Sequence, residues 1–135
     1  MDMNEINETI FKLYLYMVST KKIHYTTQTG HMHELCDKLF DEIKEFADTF
    51  AEQLYGYYGK PKYTSYKNLD KIKIQEADNI PDTCKNIINL INFEKNKIKK
   101  DKKLDSIISL IDDFLGQLNQ IIFLSTFDKV ANYKK

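Results

Sequence analysis

The chain has no tryptophan and no arginine; its twenty basic residues are all lysine. The planar forks that clamp phosphates or read guanine edges bidentately are therefore missing. Glycine and proline are scarce, four and two in 135 residues. There is no Gly-rich phosphate loop, no nucleophile elbow and no Ser/His/Asp set in a sensible context. Two isolated cysteines, Cys36 and Cys84, make neither a disulfide framework nor a CxxC metal site. They read as buried thiols of a reducing compartment. No apolar run approaches the roughly 20 residues that span a bilayer. The opening Met-Asp-Met-Asn-Glu is acidic where a secretory signal is basic. These absences predict a cytoplasmic protein with no membrane partner.

The composition that remains is that of one globular domain, residues 1–135, with 42% hydrophobic and 30% charged residues. Net charge is zero but unevenly spread. Residues 1–60 hold six lysines against ten acids, a net −4, and residues 61–135 hold fourteen against ten, a net +4. The N-terminal half is the one that would attract a cation.

Apolar residues recur every three to four positions in four stretches, so the sequence predicts an all-α protein. Asn4 is placed to cap a first helix through Ile6, Ile10, Leu13 and Met17, ending between His24 and Thr27. Thr29 and Gly30 open a second helix that runs to about Tyr55, with a turn short enough to make the two antiparallel neighbours. Residues 56–80 form the longest connection. Gly59 and Pro61 stand at its start, and Ser65–Ile74 is a candidate short extra helix. Its interleaved Tyr and Lys could stack on bases, although such a segment more often just covers a bundle. Pro81 suits the first turn of a third helix, whose apolar set is Cys84, Ile87, Ile88 and Ile91. The lysines from Lys95 to Lys103 read as its C-terminus and turn. Asp101 is placed to cap a fourth helix through Leu104, Ile111, Phe114, Leu118 and Ile122. Gly116, mid-helix, implies a close packing contact. The all-round apolar Ile121–Leu124 implies a buried end, with another subunit as one possible cover.

The chemistry concentrates in the second helix and just before it. All three histidines, His24, His33 and His31, fall within ten positions, followed by a run of carboxylates. With about 100° per residue and His33 at zero, Asp37 lies near ~40°, Asp48 near ~60° and Glu52 near ~100°. Leu35, Leu39, Ile43, Phe46, Phe50 and Leu54 gather between roughly 200° and 300° on the same wheel. The helix thus carries one stripe for its own core and a His/carboxylate stripe facing away from it. His31, near ~160°, is off that stripe. Read blandly, this is a solvated acidic face, since Asp41, Lys44 and Glu45 share the arc.

The spacing His33-x-x-x-Asp37, eleven residues to Asp48, and Asp48-x-x-x-Glu52 resembles the ferroxidase motif of the Dps-type miniferritins. His24-Tyr25 stands where that family usually has His-Trp. The interval from His24 to His33 is shorter than is common there. That short turn, and the Tyr-Gly-x-Tyr-Gly of residues 55–59, look more like divergent ferritin-like proteins of phages and large viruses. Classical ferritin-like sites use Glu-x-x-His pointing into the bundle, and no Glu stands three residues before any histidine here. The resemblance implies a ferritin-like four-helix bundle with a short extra helix or loop between helices two and three. It implies di-iron sites at a two-fold subunit interface, with His24 and His33 from one chain and Asp37, Asp48 and Glu52 from its mate. It further implies oxidation of Fe(II) by peroxide or oxygen, Fe(III) storage in a hollow, typically dodecameric homo-oligomeric shell, and residence in the host cytoplasm or a virion. Imidazole and carboxylate ligands suit Fe(II), with Mn or Zn as substitutes. Two other functions remain open: a ferritin-like shell that serves assembly without ferroxidase activity, and a DNA-protecting protein. The acidic N-terminal segment and the small Lys134-Lys135 end argue against strong DNA binding.

Overall fold

Four helices form where the apolar periodicity places them. The computed structural model describes residues 3–59 and 69–127. Helix α1 spans Met3–Thr26 and buries Ile6, Ile10, Leu13, Tyr16 and Ile23 along one stripe. Asn4 lies inside its first turn instead of capping it. Helix α2 spans Gly30–Tyr58 and is capped by Thr29, whose hydroxyl accepts a 3.2 Å hydrogen bond from the Met32 amide. It runs through Gly56 and stops at Gly59, whose φ of 93° lies in the left-handed region that favours glycine.

The described part of the crossover that follows, from Leu69 on, is largely irregular. The described part of Ser65–Ile74 holds a single 3-10 turn, Leu69–Lys71, and residues 72–79 have no regular structure. The remaining positions of that expected helix, 65–68, lie outside the described residues. Helix α3 spans Ile80–Ile98, with Pro81 in its first turn and Asn79 as its cap. Helix α4 spans Asp105–Ser125. Asp101 caps the 3-10 turn Lys102–Leu104, through a 3.0 Å bond from the Lys103 amide, and not α4 itself.

Adjacent helices are α1 with α2, α3 with α4, α2 with α4, and α1 with α3, which leaves α2 and α3 on a diagonal. Cross-links between the helices fix their directions. Tyr55 at the end of α2 hydrogen-bonds Asn7 at the start of α1, and Lys97 near the end of α3 reaches Glu5 of α1. His31 at the start of α2 meets the Leu124 carbonyl at the end of α4, Nε2 to oxygen 2.9 Å. Helices α1 and α4 therefore point one way and α2 and α3 the other. The protein is an all-α four-helix bundle whose α2–α3 connection travels the length of the molecule.

The centre is aliphatic with one aromatic stack. Phe46 lies parallel to Phe114 at 4.1 Å and near-parallel to Phe50 at 5.0 Å, tying α2 to α4. Cys36 and Cys84 are buried free thiols. Burial pushes Cys36 up to about 11, with Asp37 adding to the effect and Lys21 opposing it; burial pushes Cys84 up to about 12. Both are inert at neutral pH. One expectation for α4 is corrected. A Cβ added to Gly116 would meet nothing within 4 Å, so no close contact with a described residue explains that glycine. The Ile121–Leu124 end is only partly covered by the described residues of its own chain, with Phe123 59% exposed. The stretch Lys102–Ser125, at mean hydropathy 1.4, is also long and apolar enough to cross a membrane by length and composition. It exceeds what the apolar run count implied, yet it carries Asp105, Asp112 and Asp113 and buries six side chains in the bundle core, Leu104 and five from α4.

Candidate metal centre

The short turn at residues 27–29 folds the end of α1 back beside the first turns of α2. This brings three of the five expected ligands together. The rings of His24 and His33 lie 4.7 Å apart, nearly perpendicular. His24 Nδ1 lies 3.2 Å from Asp37 Oδ1. That nitrogen is buried and makes no hydrogen bond, since the approach is close without the required alignment. Two donors bound to one ion at 2.0–2.2 Å stand about 3 Å apart. The pair therefore has the separation of ligands that share a cation. Asp37 was expected with Asp48 and Glu52 on the mate; the fold seats it against His24 of its own chain.

Asp48 and Glu52 are exposed on α2, well away from that cluster. At 1.5 Å rise per residue they stand about 16 and 22 Å along the helix from Asp37. One chain cannot bring them to the ion that His24 and Asp37 would share. Among the described residues, no three His, Cys, Asp or Glu side chains converge as ligands within a single chain. The five residues thus form two separated half-sites on one outward stripe. His31 stays off it, buried and bonded to α4.

The surroundings add features that spacing did not reveal. Tyr25 is 77% exposed in the single chain and meets His24 edge-to-face at 5.9 Å. Lys21 sits over the Phe40 ring at 4.6 Å, and Val18 one turn earlier is 58% exposed. Lys21 and Phe40 could have been paired from sequence only by knowing how α1 lies on α2. Burial, reinforced by Glu45 and Asp41 and opposed by Lys38, raises the Glu42 carboxyl above its ordinary value.

An all-α bundle with a solvent-side His/carboxylate cluster at one end defines a class, not an activity. Within that class the chain belongs to the family of unknown function DUF5856, whose model matches residues 24–124. That span begins at His24 and includes every expected ligand. The chain is also 30% identical over 105 residues to the "Uncharacterized 14.6 kDa protein in mobD-ri intergenic region" of Enterobacteria phage T4, covering 78% of this chain and 75% of that one. No solved structure matches.

Proposed function

We propose that the protein is a Dps-type miniferritin: it binds Fe(II) at inter-subunit sites, oxidises it, and holds the Fe(III) product inside a homo-oligomeric shell. The observation that carries this is the buried His24 Nδ1, which makes no hydrogen bond yet stands 3.2 Å from the Asp37 carboxylate with His33 beside it. A buried imidazole nitrogen without a hydrogen bond is costly unless something binds it. A divalent cation with nitrogen and oxygen preference is the natural occupant. Two further features support the reading. The up-down-down-up order with one long crossover is the ferritin-like arrangement of a four-helix bundle. The distance between the two half-sites on α2 also calls for a second copy, related by a two-fold axis, to complete each site.

Iron is the substrate in this scheme. His24, His33 and Asp37 of one chain would hold it together with Asp48 and Glu52 of the mate. Two Fe(II) ions give one electron each to peroxide, its O–O bond breaks, and the oxygens leave as hydroxide or water. Mn(II) or Zn(II) would occupy the same donors without this turnover. Strong DNA binding is not part of the proposal.

The test is an anaerobic Fe(II) titration of the wild type and of Glu52→Ala, followed by peroxide. Stoichiometric binding and rapid ferric absorbance in the wild type, both lost in Glu52→Ala with helix content unchanged, are expected. No binding by the wild type would overturn the proposal and leave a bundle used for assembly.

A further inference from the structure

On the face of α1 away from His24, an open cavity of about 800 Å³ lies between α1, the end of the crossover and the first turns of α3. Ser19, Lys22, Ile23 and Thr26 line it from α1, at the i, i+3, i+4, i+7 spacing of one helix face. Its opposite wall is irregular chain held firmly in place. The Gln75 carbonyl accepts hydrogen bonds from both Tyr16 Oη and Asn86 Nδ2, each 3.1 Å. Lys22 pairs with Glu76 at 3.0 Å. The wall is therefore tied to α1 on one side and α3 on the other.

The polar groups left over inside the cavity are mostly acceptors. Asn79 Nδ2 donates to Asp78 Oδ1 at 3.1 Å and to Asp82 Oδ2 at 3.0 Å, so the two carboxylates flank one amide nitrogen. Neither carboxylate has an ion-pair partner among the described residues, whereas the Lys22–Glu76 pair neutralises itself. Asp82 sits in the first turn of α3, where a carboxylate is at home on its own account, so acidity alone would carry nothing. Ser19 supplies the second observation. It is 97% buried, lines the cavity, and its hydroxyl makes no hydrogen bond with any described residue. A hydroxyl that is the open point of an otherwise buried residue, facing the cavity, is a group placed for a ligand.

We propose that this cavity binds a small molecule through a primary ammonium group. An ammonium carries three donors and no acceptor, which matches two unpaired carboxylates and a free hydroxyl oxygen. The volume lies within the range of small-molecule pockets, and Ile23 and Ala77 offer apolar wall to a short carbon chain. Lys85 at the rim would take an acid group on the same molecule, so aliphatic amines and amino acids both belong to the class. The site shares no side chain with the proposed iron centre and does not depend on it.

The experiment is amide-resolved NMR of the full chain titrated with 1,4-diaminobutane, with sodium chloride at matched ionic strength as control. Saturable shifts confined to Ser19, Thr26, Ala77, Asp78 and Asp82 are expected. Asp78→Asn combined with Asp82→Asn should weaken binding about tenfold or more, as loss of charge-assisted hydrogen bonds requires. Ser19→Ala, which leaves the α3 cap alone, should weaken it severalfold without altering the fold. Asp41→Asn with Glu45→Gln, on the acidic face of α2, should change nothing. Shifts spread along α2, shifts reproduced by sodium, or binding that survives both the Asp78/Asp82 double variant and Ser19→Ala would overturn the proposal.

Discussion

A carboxyl group taken out of water holds its proton more tightly, and Glu94 is such a group. It is 4% exposed, hydrogen-bonded to Thr9, and its Oε2 has no partner. Burial raises its affinity for the proton above the ordinary value of 4.5; the Thr9 bond, Lys97 and Lys12 oppose the rise, and Glu5 adds to it. The sign follows by linkage. Between the ordinary value and the raised one the folded chain carries a proton that the unfolded chain has lost, so stability falls as pH rises through that window. Glu94→Gln should flatten this decline and be more stable than the wild type at neutral pH, as read by urea unfolding from acid to neutral conditions. Nothing in the local sequence marked Glu94, because a lysine-rich stretch surrounds it and its burial depends on α1 lying across α3. His24 and His33 were legible as neighbours for the opposite reason: their meeting depends only on one short turn and on helix spacing, whereas Asp37, singled out but expected on the mate, lies beside His24 of its own chain.

Helix identities could be read from periodicity, and their ends less well. Thr29 at the start of α2 and Pro81 in α3 act through local hydrogen bonding and fixed φ, and both stand where the sequence placed them. Asn4 and Asp101 are chemically suited to capping, yet one lies within α1 and the other caps a 3-10 turn. A cap needs the chain to change direction at that residue, and packing decides where. Gly116 was misread in the same way, since the contact that would justify it is absent among the described residues. An exposed mid-helix glycine costs about 1 kcal/mol relative to alanine. Gly116→Ala should therefore raise the unfolding free energy of the isolated chain by about that amount and Tm by a few degrees, by calorimetry. If a neighbouring copy packs against that face, the same change would weaken assembly instead, visible by sedimentation.

At the scale of the molecule, the four-helix order was legible because each amphipathic stripe must find a partner, whereas the mate that would complete the proposed iron site is beyond what one chain displays. A direct check of that proposal is complementation. His24→Ala and Glu52→Ala chains, each expected to be inactive alone, should recover about a quarter of the ferroxidase activity proposed for the wild type when refolded together in equal amounts, because a mixed two-fold pair would hold one intact site. No recovery would mean that the half-sites do not meet across subunits. The long crossover has a consequence of another kind. Helices adjacent across the short turns pack as the α1–α2 and α3–α4 hairpins, and the described end of the connection is tied down at Gln75 and Glu76. The bundle is in this sense two interlocking halves joined by one covalent link. Chains severed between Gly59 and Leu69 should find one another in solution and rebuild the whole, with an affinity that measures directly how much the shared interior is worth without the covalent link.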